Sequence, residues 1–183
     1  MRVLVITGAP GAGKTQVAQR LAACFLVPVA VLDCDPFVHP WESGEPLHRL
    51  MAAELAARIP AYAEWGARVI VVHGVILAGG RTYEPVMAAL WSLGTTPVVY
   101  GLRAGPEVLA DRIRQDQAAP HLVDGRLALT HLDEDVPEVP GARLIDTAHR
   151  DAEAVVAEIA RQESADLGPG WLLGQTPREK PRP

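Results

Sequence analysis

Lysine is almost missing from this chain. Of its 17 basic residues, Lys14 and Lys180 are lysines and the rest are arginines. Cysteine is equally scarce, since Cys24 and Cys34 are its only two cysteines. Two cysteines at this spacing make neither a disulfide framework nor a zinc motif, so a reducing compartment, the cytoplasm, is the expected location.

Excess positive charge and long apolar runs are absent as well. The formal net charge is −5 at pH 7, which argues against nucleic acid as a partner because binding to a phosphate backbone needs a basic surface. No stretch reaches the length of a membrane span, and the chain start lacks the basic region of a secretory signal. We therefore expect a protein that contacts neither nucleic acid nor a membrane.

The composition otherwise favours one folded domain. The chain has 183 residues, of which 49% are hydrophobic, enough to bury a core. We predict a domain over residues 1–164, followed by a flexible tail over 165–183 that is rich in Gly and Pro. Trp171, Leu172 and Leu173 are the tail residues that could dock on the domain.

The most informative motif contains one of the two lysines. The string GAPGAGKT, from Gly8 to Thr15, matches G-x-x-x-x-G-K-S/T at every fixed position. It follows an apolar, β-branched run, Arg2 to Thr7, and precedes a helical pattern from Lys14 to Phe25. Strand, glycine loop and helix together are the context in which this motif forms a phosphate-binding loop.

Such a loop predicts a nucleoside triphosphate as the ligand. Its amides form a nest for phosphate oxygens, and the helix start adds a positive dipole end. Lys14 is predicted to reach the β- and γ-phosphates and Thr15 to ligate Mg²⁺. The predicted nucleotide-binding residues of the loop are Gly8, Ala9, Pro10, Gly11, Ala12, Gly13, Lys14, Thr15 and Gln16.

Apolar strand patterns alternate with helical patterns along the rest of the chain, which is typical of a parallel sheet covered on both faces. The further predicted strands are Val29–Leu32, Arg68–His73, Pro97–Leu102 and Arg143–Asp146. The further predicted helices are Pro46–Trp65, with a break or kink at Pro60, Arg81–Leu93, Pro106–Gln117 and Asp151–Glu163. The segment from Ala118 to Gly141 lacks clear periodicity and is predicted to be a functional loop.

Three further stretches resemble P-loop kinases of small molecules and nucleotides. They are DCDP at Asp33–Pro36, YGLRAGPEVLADRI at Tyr100–Ile113 and LIDTAHRDAEAVVAEI at Leu144–Ile159. The N-K-x-D string of GTPases is absent. The chain thus resembles shikimate kinase, gluconate kinase, chloramphenicol phosphotransferase and adenylate-kinase-like proteins. The resemblance implies an α/β P-loop NTPase fold, with a five-stranded parallel sheet in the order 2-3-1-4-5, helices on both faces and a lid over about residues 115–135.

The resemblance also implies a set of site residues. Residues two apart on an extended chain point to one side, so Asp33 and Asp35 could both face the ligand crevice. Either could be the base that accepts the acceptor's proton, with Asp33 favoured, and Asp33 could also hold the metal. Arg112 is predicted to neutralise charge on the transferred phosphoryl group. Asp35, Gly74 and Arg81 are predicted to contact the substrate.

Together these features predict an ATP- and Mg²⁺-dependent kinase acting on a hydroxyl of a metabolite, sugar acid or antibiotic, as a monomer or homodimer. Two departures from the kinase pattern keep alternatives open. His73 stands where many nucleotide kinases have an aspartate, and the lid segment lacks the arginine pairs of adenylate kinases. The alternatives are a nucleoside or nucleotide kinase and a nucleotide-binding module without transfer chemistry.

Overall fold

The computed structural model describes residues 1–34, 45–74, 80–117, 120–168 and 170–172. Within these residues the strands are β1 Arg2–Gly8, β2 Val29–Asp33, β3 Val69–Gly74, β4 Val98–Arg103 and β5 Arg143–Asp146. The helices are α1 Lys14–Ala22, α2 Glu45–Trp65, α3 Gly80–Ser92, α4 Pro106–Gln115, α5 Val123–Leu127 and α6 Ala152–Leu167. No helix in the described parts of the chain combines the length and the apolar character needed to cross a membrane.

The five strands form one parallel sheet in the order β2-β3-β1-β4-β5. The fold class and the strand order implied by the resemblance are therefore confirmed. The sequence cause is the continuous apolar character of the strands: β3 is buried at every position, as expected for a strand covered on both faces.

Alternating side chains of the central strand reach two separate cores. Val3 and Val5 pack with residues of α2 and α3, on what we call the α2–α3 face. Leu4 and Ile6 pack with residues of α1 and α6, on what we call the α1–α6 face. Because each strand position points to a defined face, the register assigns the residues at the strand ends to one face or the other.

Several details of the predicted helices differ from the structure. Helix α2 runs through Pro60, so the alternative of a break there is not realised. Proline removes one backbone hydrogen bond, and the burial of the neighbouring Leu55 and Ile59 in the core offsets that loss. Helix α1 ends at Ala22 rather than Phe25. Asp151 is the N-cap of α6, because its side chain accepts a hydrogen bond from the Ala154 amide at 2.8 Å.

The segment predicted to be an irregular loop is instead a series of short helical turns. It contains 3₁₀ turns at Pro120–Leu122, Thr130–Asp133 and Val136–Glu138 around the short helix α5. Turns this short carry no apolar periodicity, which is why sequence patterns do not reveal them.

Residues 165–168 and 170–172 of the predicted tail belong to the described part of the chain. Helix α6 continues to Leu167, and Leu172 is only 2% exposed. The Trp171 carbonyl accepts a hydrogen bond from the Leu26 amide at 2.8 Å, and the Arg68 guanidinium lies 5.3 Å from the Trp171 ring centroid. Trp171 and Leu172 thus dock on the domain, while residues 173–183 lie outside the described part.

A buried carboxylate ties α6 to the amino-terminal edge of the sheet. Glu163 is fully buried and binds the Arg2 guanidinium at 2.7 Å and the Tyr100 hydroxyl at 2.6 Å. Arg143 approaches the same carboxylate at 3.9 Å and pairs with Asp166 at 2.9 Å. Burial, together with the hydrogen bond and charge of Glu163, raises the pKa of Tyr100. Helix α6 is therefore fixed to β1, β4 and β5 at the end of the sheet opposite the phosphate-loop motif.

Replacing Glu163 by Ala is expected to destabilise the fold strongly, because the buried Tyr100 hydroxyl would lose its acceptor and the partly buried Arg2 guanidinium would keep only Asp166. Removing one partner of a buried pair costs about 3–5 kcal/mol. Glu158→Ala is the matched control, since Glu158 is on the same helix and pairs with Arg150 near the surface, where a pair contributes about 0–1 kcal/mol. Equilibrium urea unfolding of both variants checks the difference, and equal midpoints would contradict it.

Candidate functional site

The motif Gly8–Thr15 folds as a closed loop between the end of β1 and the start of α1. Two of its glycines lie too close to neighbouring backbone for any side chain. A Cβ at Gly8 would be 2.6 Å from the Leu102 carbonyl oxygen of β4. A Cβ at Gly11, which has φ +83°, would be 2.9 Å from the Leu109 carbonyl oxygen of α4. The glycines thus allow the loop to pack directly on β4 and α4.

Helix α1 begins with its first amides uncapped by any described side chain. Gly13 is the N-cap residue, and the first turn contains no acidic residue that would compete for a bound anion. The Lys14 ammonium bends back over the loop and donates a hydrogen bond to the Ala9 carbonyl at 3.0 Å. Thr15 and Gln16 are exposed beside it. An uncapped helix start with one buried ammonium is suited to binding phosphate.

Asp33 and His73 lie side by side at the carboxyl-terminal edge of the sheet. They are register partners at the ends of β2 and β3, with 3.7 Å between His73 Nδ1 and Asp33 Oδ1. His73 is 1% exposed, whereas the Asp33 side chain is 40% exposed. By strand alternation both point to the α1–α6 face, the face that carries Lys14 and Thr15 at the start of α1. The buried His73 thus lies next to Asp33, the carboxylate that the sequence analysis favours as the base.

Of the three residues predicted to contact the substrate, Gly74, Arg81 and Asp35, the structure describes only Gly74 in full. Gly74 ends β3 and is the register partner of Thr7 at the end of β1. Arg81 lies in the first turn of α3, but its side chain is outside the described part. Asp35 is also outside the described residues. Its role, and that of Arg81, remain predictions from the sequence.

Arg112 of α4 connects the phosphate loop to the loop that follows β5. Its guanidinium donates hydrogen bonds to the Gly11 carbonyl at 3.4 Å and to the Ala148 carbonyl at 3.3 Å. It also binds both the hydroxyl and the carbonyl of Thr147. Thr147 is itself fixed to β4, because its amide donates to the Arg103 carbonyl at 2.7 Å. In this structure the Arg112 side chain, which was predicted to neutralise a phosphoryl group, links the phosphate loop to the loop after β5.

Asp133 is a residue that the sequence analysis missed. It is 1% exposed and accepts hydrogen bonds from the amides of Ala104 and Gly105 at 3.2 Å each, which anchors the segment after α5 to the junction of β4 and α4. Asp116 and Arg126 pair at 2.6 Å across the start of the same segment. An acidic residue in an aperiodic, polar stretch gives no sequence signal of such an anchor, because its partners are backbone amides.

The oxygen groups at the edge suit a magnesium ion shared with a nucleotide. Mg²⁺ in such sites is bound by one or two protein oxygens together with substrate phosphates. The exposed Thr15 hydroxyl and the partly exposed Asp33 carboxylate are hard oxygen donors of this kind. No group of three His, Cys, Asp or Glu side chains in the described part of the chain could hold a metal ion by itself. Thr15 and Asp33 therefore fit a Mg²⁺ ion that binds together with nucleotide phosphates.

Comparison with solved structures agrees with the geometry, although no protein-family model and no curated protein sequence matches the chain. The chain is similar to the tunicamycin resistance protein of Deinococcus radiodurans, with 20% identity over 90% of this chain and 96% of that one, and a TM-score of 0.62. It is similar to shikimate kinase from Acinetobacter baumannii in complex with shikimate, with 19% identity, coverage of 91% and 95%, and a TM-score of 0.58. It is also similar to thymidylate kinase from Candida albicans, with 14% identity, coverage of 90% and 92%, and a TM-score of 0.59. The fold is therefore the P-loop kinase fold.

Replacing Arg112 by Lys is expected to loosen both loops that it joins, since an ammonium cannot reproduce the guanidinium fork. Hydrogen bonds to charged groups contribute about 1.5–3 kcal/mol, so amide exchange in residues 8–15 and 146–150 should be at least about tenfold faster. Arg114→Lys is the control, because Arg114 is 60% exposed and pairs only at the surface with Asp111. Hydrogen–deuterium exchange with mass spectrometry checks this. Unchanged exchange in both segments would contradict the claim that Arg112 links the two loops.

Proposed function

We propose that this chain is a kinase that transfers the γ-phosphoryl group of ATP to a hydroxyl of a small-molecule acceptor: a metabolite, a sugar acid or an antibiotic. The observation that carries the proposal is the folded phosphate loop Gly8–Thr15, with the Lys14 ammonium bent over it, next to an edge that presents Asp33. A phosphate loop without a nearby carboxylate would support nucleotide binding but would leave transfer to a hydroxyl without a base.

The similar structures support a phosphotransferase and a small acceptor. Shikimate kinase and thymidylate kinase are kinases by name, and one of these structures contains shikimate. A tunicamycin resistance protein has the highest TM-score of the three, 0.62. These proteins differ in what they act on, so their shared fold supports the reaction type and leaves the acceptor open.

The chain's own groups divide into a nucleotide side and an acceptor side. On the nucleotide side, the loop amides and Lys14 would bind the phosphates, and Arg112 would hold the loop against the segment after β5. Thr15 and Asp33 would hold Mg²⁺. Bound MgATP supplies the phosphoryl group and offsets the charge that builds up during its transfer.

Asp33 has two roles open to it, metal ligand and proton acceptor, and Asp35 remains the other candidate for the base. The buried His73 lies beside the Asp33 carboxylate, with 3.7 Å between its Nδ1 and Oδ1. We assign His73, which stands where many nucleotide kinases have an aspartate, as a positioning residue for the Asp33 carboxylate. On the acceptor side, Gly74 leaves room for close approach and Arg81 would bind an anionic group of the acceptor.

Replacing Asp33 by Asn is expected to preserve ATP binding and to lower phosphoryl transfer by about 10²–10⁴-fold, the range attributed to general acid–base groups. Asp111→Asn is the matched control, since the Asp111 side chain is 69% exposed on α4. ATP affinity is measured by calorimetry and turnover by product formation. A variant that transfers at the wild-type rate would remove Asp33 from the chemistry, whereas loss of folding would assign it a structural role.

The test of the function is a mass-spectrometric panel with ATP and Mg²⁺. The acceptors are nucleosides, nucleoside monophosphates, shikimate, gluconate, other sugars and hydroxylated antibiotics. We expect one class to gain a single phosphoryl group with the wild type and with Lys180→Ala, but not with Lys14→Ala, because only Lys14 lies in the phosphate loop. ATP-dependent transfer undiminished in Lys14→Ala would contradict the proposal.

A nucleotide acceptor is the second candidate, favoured by the similarity to thymidylate kinase at a TM-score of 0.59. Phosphorylation confined to the nucleoside and nucleoside monophosphate pools would select it. ATP binding without product in any pool would favour a nucleotide-binding module.

A further inference from the structure

Thr7, the residue before the phosphate loop, carries a buried polar group that the fold does not use. It is the penultimate residue of β1 and has 0% exposure. Among the residues that the structure describes, its Oγ1 has no hydrogen-bond partner. A buried hydroxyl without a partner lowers stability, and valine, which has the same shape and a higher preference for strands, would avoid that loss. Stability therefore does not explain a threonine at this position.

The direction of the Thr7 side chain places it on the α2–α3 face of the sheet. Val3 and Val5 point to the α2–α3 face, so Thr7 points there as well. Helices α2 and α3 begin at Glu45 and Gly80, and in a parallel sheet such helix starts lie at the carboxyl-terminal edge of the strands. Lys14 and Asp33 belong to the opposite face. Thr7 is thus at the same edge as the phosphate loop but across the sheet from α1.

Both register partners of Thr7 are glycines, so no neighbouring side chain on the sheet reaches its hydroxyl. On one side Gly101 of β4 is covered by Val136, whose Cγ1 would lie 2.6 Å from a Cβ at Gly101. That side is therefore closed and apolar. On the other side Gly74 ends β3. Because Gly74 has no side chain, this register partner places no side-chain atom beside the Thr7 hydroxyl.

We infer that Thr7 is a specificity-determining residue whose Oγ1 forms a hydrogen bond with a hydroxyl group of the acceptor. This inference rests on the proposed kinase function. A threonine hydroxyl can both donate and accept, which suits a neutral hydroxyl of the acceptor. Thr7 is covered in the present conformation, so the inferred contact requires that the groups covering Thr7 move when the acceptor binds.

The experiment compares Thr7→Val and Thr7→Ser with the wild type on the acceptor panel. For the compound that the wild type phosphorylates, Thr7→Val should lower kcat/KM by at least about tenfold through a higher acceptor KM, because the hydrogen bond to the acceptor is lost. The KM for ATP should not change, since Thr7 faces away from α1. Thr7→Ser keeps the hydroxyl and should retain most of the activity.

Equilibrium urea unfolding supplies a readout that does not depend on activity. Thr7→Val should unfold at an equal or higher urea concentration than the wild type. The matched control is Thr95→Val, because the buried Thr95 hydroxyl donates to the Leu90 carbonyl at 2.7 Å. That variant should unfold at a lower urea concentration and keep the wild-type acceptor KM.

Three results would overturn the inference, and they are distinguishable. A Thr7→Val variant with the wild-type acceptor KM would remove the contact while the kinase function stands. Destabilisation of Thr7→Val as large as that of Thr95→Val would show that the hydroxyl serves the fold. A wild type that phosphorylates no compound of the panel would count against the proposed function itself, and against the acceptor contact with it.

Discussion

Helices cover both faces of the parallel sheet, and this burial confines polar chemistry to the two edges where the strands begin and end. At the amino-terminal edge the charged groups neutralise one another around the fully buried Glu163. At the carboxyl-terminal edge Lys14 and Arg112 contact the phosphate loop, and Asp33 lies at the end of β2. The fold thus places its stabilising charges and its candidate functional charges at opposite ends of the same strands.

Hydrogen bonds to backbone atoms organise the functional edge. Arg112 binds carbonyls of the phosphate loop and of the loop after β5, and Asp133 binds amides where β4 leads into α4. These partly buried contacts hold three loops in register. A loop held in this way loses less conformational freedom when a nucleotide binds, which is the physical advantage of preorganisation.

The sequence predicted the fold well because its signals are strong and local. Buried β-branched strands such as Val69–Gly74 and a complete glycine loop before α1 are patterns that few other structures satisfy. The strand order came from resemblance, since no strand pattern specifies it. The partners of Arg112 and Asp133 could not be predicted, because backbone carbonyls and amides leave no trace in the residue types. The sequence indicated that Trp171 could dock, but not that its partner is Arg68, because that contact joins distant segments.

The central claim is that Gly8–Thr15 binds the phosphates of ATP at the edge that presents Asp33. The most direct measurement is a crystal structure of the protein with a non-hydrolysable ATP analogue and Mg²⁺. We expect the β-phosphate to lie within hydrogen-bond distance of the loop amides and of Lys14 Nζ, with the γ-phosphate directed toward the end of β3. A nucleotide bound elsewhere on the protein, with Lys14 still hydrogen-bonded to the Ala9 carbonyl, would contradict the account.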